Sequence, residues 1–389
     1  MNNDSVLVLG AARTPIGSFQ GCLQGVTAPE LGAHAIKSAI ERAGIDKTAV
    51  DEVIMGNVIA AGLKQAPARQ AMRTAGLPDG CGATTINKVC GSGMKATMLA
   101  TDLIRAGSAD LIVSGGMESM TNAPYVLERA RQGLRMGHAE VKDTMFLDGL
   151  EDAETGRSMG TFAQDTADTH QITREDMDAF ATDSVARALA AMASGDLTAE
   201  IAPITVKGAE VTEDEQPRRS KPDRIPHLRP AFKADGTITA ANSSSISDGA
   251  SALLLGSEAA ATAQGAIPLA RIVGHATHSQ HPSEFTVAPV GAIGKLLDRI
   301  GWSADEVDLF EINEAFAMVT MLAIRELSLD PQRVNIYGGA CAQGHPIGST
   351  GSRLIVTLAH ALKARGVKRG IAALCIGGGE ATAVALESV

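Results

Sequence analysis

Aromatic side chains are scarce in this sequence: Phe, Trp and Tyr make up 3% of 389 residues, with one Trp and two Tyr. Proteins that read single-stranded nucleic acid stack bases on aromatic platforms, so that class is disfavoured. Positive charge is also short, with 34 Lys and Arg against 44 Asp and Glu, a net of −10. This argues against nucleic acid or an acidic membrane as a partner. The best apolar run, residues 315–324, falls well short of the roughly 20 residues of a membrane span. The N-terminus shows no basic stretch leading into an apolar one, so no export signal is expected. Cysteine is sparse: Cys22, Cys81, Cys90, Cys341 and Cys375 are scattered and odd in number. That excludes a disulfide framework and fits a reducing, cytoplasmic compartment. What remains is a 45% hydrophobic chain, long enough for two or three domains around a large core.

Three segments read as a strand, a glycine-rich turn and a helix, with a nucleophile or proton carrier in each turn. They are Asn87-Lys88-Val89-Cys90-Gly91-Ser92-Gly93, Gly338-Gly339-Ala340-Cys341-Ala342-Gln343-Gly344-His345-Pro346 and Cys375-Ile376-Gly377-Gly378-Gly379. Glycines let backbone N–H groups approach a ligand. A thiol at a helix N-terminus feels the positive end of the macrodipole, which predicts a site favouring thiolate. Cys22 and Cys81 carry no such context and read as small core residues.

The same order of elements occurs twice. Strands are predicted at 5–10, 53–55, 85–89 and 111–113, with helices at 29–43, 66–75 and 93–106. The C-terminal third repeats the order: strands at 270–274, 307–311, 334–337 and 371–375, helices at 291–300, 315–327 and 351–364. This is an α/β protein with an internal duplication. Residues 120–247 differ, being richer in charge and proline with one good helix at 174–192, and read as an insertion closed by a strand at 252–255. The predicted division is 1–119 completed by 248–265, an inserted loop domain over 120–247, and 266–389. Within the insertion Arg218, Arg219, Lys221, Arg224, Arg229 and Lys233 form a basic patch. It is either a solvated loop or a dock for a phosphate-bearing ligand. His275, His278 and His281 recur every third residue, but Pro282 and the loop context speak against a regular element presenting them to a metal.

Taken together, residues 87–96, 125–150, 158–160, 241–250, 313–316, 338–351 and 375–379 resemble the thiolase family, most closely its biosynthetic branch. Several separated motifs in order are far more specific than one glycine turn. The resemblance implies a five-layered αβαβα thiolase fold from two similar halves plus the loop domain. It implies an acetyl-CoA C-acetyltransferase: reversible Claisen condensation of two acetyl-CoA to acetoacetyl-CoA and CoA. The CoA thioesters are substrates, and neither cofactor nor metal is required. It also implies a homotetramer, with residues 132–150 resembling a tetramerisation loop. A broader 3-ketoacyl-CoA thiolase of fatty-acid degradation is the alternative. A decarboxylating synthase is disfavoured by Cys375, and a non-catalytic CoA-binding or lipid-transfer protein by the presence of all the catalytic types.

That chemistry needs a nucleophile, a base and two oxyanion sites. By resemblance, Cys90 carries the acyl group, His345 activates it, Cys375 moves the Cα proton and Asn313 positions a water with His345. A plain role as helix N-cap is the other reading of Asn313. The N–H groups of Cys90 and Gly377 would form the second oxyanion site. Ser244, Phe232 and Arg218 would bind CoA, and Leu150, Met159, Phe285 and Phe316 would surround the acyl group. The sequence departs from the family at Ser158, where histidine is common, at Thr155 and Arg157, where aromatics are common, and at Cys341, where aliphatic residues predominate.

Overall fold

A computed structural model describes residues 5–389. The first four, which open the predicted N-terminal half, lie outside the described residues. The main strands are β1 (Val6–Arg13), β2 (Glu52–Gly56), β3 (Gly82–Ile86), β4 (Leu111–Ser119), β5 (Ser247–Ser257), β6 (Ala270–Ser279), β7 (Leu309–Ile312), β8 (Arg369–Ile376) and β9 (Glu380–Ser388). The main helices are α1 (Ala28–Ala43), α2 (Pro67–Thr74), α3 (Ser92–Arg105), α4 (Met159–Thr169), α5 (Arg174–Ser194), α6 (Ala288–Ile300), α7 (Ala317–Glu326) and α8 (Thr350–Arg365). Local chemistry sets their ends. At α1, the Thr27 N–H donates to Glu30 Oε2 at 2.8 Å, and Gly44 closes the helix with φ of 67°.

The strands form one sheet in the order β7-β8-β9-β6-β1-β5-β4-β2-β3, with the pair Gly17–Ser18 added beside β5. Counted within each half, this is the same order twice. The first half runs third-second-fourth-fifth-first, from β3 to β1. The second runs from β7 to β6 in the same way, with its third strand reduced to a single bridge between Phe310 and Val334. The two first strands join the halves antiparallel, with Val6 opposite Ile272 and Val8 opposite Ala270.

Alternation along the strands builds the layers. Val6, Val8, Ile54, Ile112, Leu253 and Leu255 of the first half share a core with Ile272, Leu374, Val384 and Leu386 of the second, around α3 and α8. On the opposite face Leu7, Leu9, Val53, Met55 and Leu254 meet α1 and α2. Ile312, Ile371 and Ala383 meet α6 and α7. The result is the five-layered αβαβα arrangement, with α3 and α8 held between two halves of a continuous sheet. The 120–246 stretch lies off this sheet. It contributes α4, α5 and two small hairpins, Tyr125–Leu127 with Val141–Asp143 and Ile204–Val206 with Ala209–Val211.

The strand expected at 334–337 does not form. Asn335 turns the chain with φ of 48°. Its Oδ1 accepts from Ile312 N and its Nδ2 donates to Ile312 O, each at 2.8 Å. A side chain thus takes the place of the ladder. Of the main elements, α4 and the alanine-rich β9 have no counterpart in the sequence expectations, and neither do the two small hairpins. None of the described helices is long and apolar enough to cross a membrane.

Candidate active site

Cys90 sits on a strained elbow between β3 and α3. Val89, a β-branched residue, has φ of 47°, a conformation that costs about 1–3 kcal/mol and persists only where neighbours enforce it. Asn87 Oδ1 accepts from Val89 N at 2.8 Å, and Ser92 Oγ donates to Val89 O at 2.6 Å while accepting from Lys88 N at 2.8 Å. Lys88 is itself paired with Glu380 at 2.5 Å. The elbow presents the half-buried Cys90 to a cavity.

His345 reaches the same cavity from the turn before α8. Its N–H donates to Ser245 O at 3.1 Å and to Ser247 Oγ at 3.2 Å. Gly344 adopts φ of 107°, and a Cβ there would overlap Ser247 Oγ, so only glycine fits. Thr350 Oγ1 donates to Pro346 O at 3.0 Å and lies 2.6 Å from His345 Nδ1. With the hydroxyl proton on the carbonyl, Nδ1 carries hydrogen and Nε2 presents its lone pair. Nε2 is buried and, among the described residues, meets no hydrogen-bond partner. Burial, then the charge of Arg353, pushes the imidazole down to about 3, so it rests neutral.

Cys375 ends β8, fully buried, and lines the cavity with Gly377. Burial first, and Cys90 beside it second, push its thiol well above the ordinary range. Burial also pushes Cys90 up to about 11, against hydrogen bonds from the N–H groups of Gly377 and of Cys90 itself. The thiolate expected from the helix dipole is therefore overturned. Burial disfavours the charge more than two N–H groups and a helix end favour it. Both thiols rest protonated.

The cavity, about 440 Å³, gathers most of the predicted residues: Cys90, His345, Cys375, Gly377, Ser244, Phe232, Leu150, Met159, Phe285 and Phe316, with Ser158 among them. Phe316 stands edge-on to Phe232 at 6.1 Å and to Phe285 at 6.5 Å, making one aromatic wall. Two predicted residues are not on this lining. Asn313 lies buried, and neither of its amide atoms meets a hydrogen-bond partner among the described residues. It does not cap α7, whose N-cap is Phe316. Arg218 is exposed and paired with Glu213 through contacts of 2.6 and 2.9 Å. Its neighbours Arg219, Lys221 and Arg224 line an adjoining cavity that shares Gln216 and Ala240 with the first. Cys341 lines that second cavity, buried beside Glu314.

His275, His278 and His281 find separate partners in Asp102, Gln280 and Ser283. Among the described residues no group of three His, Cys, Asp or Glu is arranged for a metal. Thr350 and Glu118, which both hold the His345 turn, are not singled out by the sequence. Thr350 lies within the 338–351 motif but carries no mark of its role there, and only the fold brings Glu118 beside the His345 turn.

Comparison with known proteins bears on this geometry. Residues 6–259 match the model of the thiolase N-terminal domain, and residues 266–388 that of the thiolase C-terminal domain. An acetyl-CoA acetyltransferase of Pseudomonas aeruginosa is 49% identical over 387 residues, 98% of each chain. One of Schizosaccharomyces pombe is 47% identical, covering 100% of both. The crystal structure of a thiolase from Ascaris suum in complex with coenzyme A superposes with a TM-score of 0.95 at 41% identity, over 99% of this chain and 100% of that one. The chain belongs to the thiolase family.

Proposed function

We propose that the protein is an acetyl-CoA C-acetyltransferase, condensing two acetyl-CoA to acetoacetyl-CoA and CoA through acetyl-Cys90. The observation that carries this is the single cavity lined by two thiols, a neutral imidazole with a free Nε2 and the Gly377 backbone. Full-length relatives named acetyl-CoA acetyltransferase support it.

In the first half-reaction the Cys90 sulfur attacks the thioester carbonyl and its proton passes to His345 Nε2. The N–H groups of Cys90 and Gly377, which already face the Cys90 sulfur, hold the oxyanion. The carbon–sulfur bond to CoA breaks, and Cys375 gives its proton to the departing sulfur. Acetyl-Cys90, an imidazolium and a Cys375 thiolate remain. In the second half-reaction that thiolate takes a proton from the methyl of another acetyl-CoA. Its high proton affinity makes it a strong base once emptied. The carbanion attacks acetyl-Cys90, with His345 and a water positioned by Asn313 holding the enolate oxygen. The Cys90–carbon bond breaks and Cys90 recovers its proton from the imidazolium. Protons balance over the cycle, and no cofactor is needed.

Ser244 and Phe232 suit the pantetheine. The nucleotide end would lie toward Arg218, Arg219, Lys221 and Arg224. In this reading the chain divides at 1–119 with 248–265, 120–247 and 266–389. It works as a cytoplasmic homotetramer with no nucleic-acid or membrane partner. The exposed Tyr125, Leu134, Met136 and Val141 of the 125–143 segment offer apolar surface for such an assembly.

Large side chains at Leu150, Met159, Phe285 and Phe316 leave little room for a long tail. Each methylene refused a place forfeits about 0.8 kcal/mol of burial. Thiolysis rates on a panel of 3-ketoacyl-CoA should therefore be highest for acetoacetyl-CoA and at least about tenfold lower for the ten-carbon substrate. Comparable rates would replace this reading with the degradative thiolase, and Ser158, smaller than the histidine common in the family, would be the opening.

A further inference from the structure

Glu118 closes β4 fully buried, and among the described residues no lysine or arginine pairs with it. An unpaired buried carboxylate is expensive, and burial pushes this one up to about 7. What it meets instead is four N–H groups from two distant segments. Oε1 accepts from Asn57 Nδ2 at 2.8 Å and Ile59 N at 3.2 Å. Oε2 accepts from Val58 N at 3.0 Å and Gly348 N at 2.9 Å. Gly348 lies three residues past His345, and a Cβ on it would stand 2.5 Å from Oε2. On the other side Val58 O accepts from Asn87 Nδ2 at 3.4 Å, and Asn87 holds Val89. Ile347 packs against Val58, Ile59, Met120 and Met145, which keeps this junction dry. A continuous chain of bonds thus runs from the Cys90 elbow through Val58 and Glu118 to the His345 turn. The titratable groups facing Glu118 are Asp248 on β5 and Cys90.

We propose that Glu118 is a positioning residue that locks the His345 turn onto the Cys90 elbow, and so sets the geometry in which imidazole meets thiol. The inference rests on the acyl-transfer reading above. An apolar residue would fill the space at less expense, but only an acceptor with two oxygens can hold both segments at once.

Glu118→Gln keeps the shape and turns an NH2 toward N–H donors. The test measures its melting temperature, kcat and KM, and the rate at which iodoacetamide alkylates Cys90 across pH. The folded variant should lose about a hundredfold in kcat with KM within about twofold, because small misplacements of reacting groups act on the chemical step. Removing the Glu118 charge would by itself ease ionisation of Cys90 and shift alkylation to lower pH. Displacement of the imidazole, the thiol's base, outweighs this, so alkylation of Cys90 should need higher pH. Glu118→Asp should recover part of both. A wild-type alkylation profile in folded Glu118→Gln overturns the proposal, even if stability falls. Should that variant not fold, Asn57→Ala removes one of the four donors to Glu118, together with a bond to Met117 O. It must then shift kcat and alkylation in the same direction by less, and wild-type values overturn the proposal. Failure of the acyl-transfer reading is separate: it appears in the wild-type enzyme as acetyl found away from Cys90.

Discussion

At the scale of residues, the two thiols lining the cavity differ in environment, and the proposed reaction gives them different roles on that ground. Cys90 touches two backbone N–H groups, whereas Cys375 is deeper and sits beside another sulfur. Cys375→Ala should therefore still become acetylated at Cys90 but should lose condensation. It should also fail to exchange acetyl-CoA methyl protons with deuterium, followed by NMR; undiminished exchange would assign the base elsewhere. His345 makes a second prediction. Its proton affinity falls on folding from 6.5 to about 3, so between these values the unfolded chain binds more protons than the folded one. Stability attributable to this group is lost as pH falls through that window. A scan of melting temperature should show a shallower acid-side fall in His345→Asn than in the wild type; an unchanged slope would contradict the neutral buried imidazole. Cys90, His345 and Cys375 were legible in the sequence because each stands in a glycine turn. The protonated state of the thiols was not, because desolvation depends on what the rest of the chain packs around them.

At the scale of elements, the Cys90 elbow illustrates how a local rule is broken for a site. Valine at positive φ is disfavoured, and Ser92 and Asn87 supply the bonds that hold it. Ser92→Ala leaves Lys88 N–H without its acceptor and Val89 O with the Ser92 N–H alone, and should cost about 1–3 kcal/mol of stability. It should also slow Cys90 acylation, measured as the burst of CoA release; an unchanged burst would show that the elbow needs no such pin. Most helices could be read from periodicity and their closing glycines, as at Gly44 and Gly301. The failures share a cause in tertiary context. Asn335 replaces a strand with a side-chain cap, and β9 is a strand because β8 and β6 flank it, not because alanine favours one. Cys90 likewise rests as a thiol and not as the thiolate a helix end favours, because burial outweighs the helix end.

At the scale of the whole molecule, duplication explains where the chemistry sits. Each half supplies one thiol at the end of a parallel-paired strand or its turn, and α3 and α8 pack together between the halves. Neither half holds Cys90, His345 and Cys375 alone. Beyond one chain, the proposed homotetramer would cover the exposed Leu134 and Met136. Changing both to serine should leave the fold intact and lower the mass seen by light scattering; an unchanged mass would place the interface elsewhere. The most direct test of the account is to incubate the wild-type protein with acetyl-CoA alone, quench in acid and map the acetylated peptide. The account predicts one acetyl group per chain, on the peptide containing Cys90, and its loss when CoA is added back. Acetyl on Cys375 with Cys90 unmodified, or no covalent acetyl in a protein that still condenses acetyl-CoA, would contradict it.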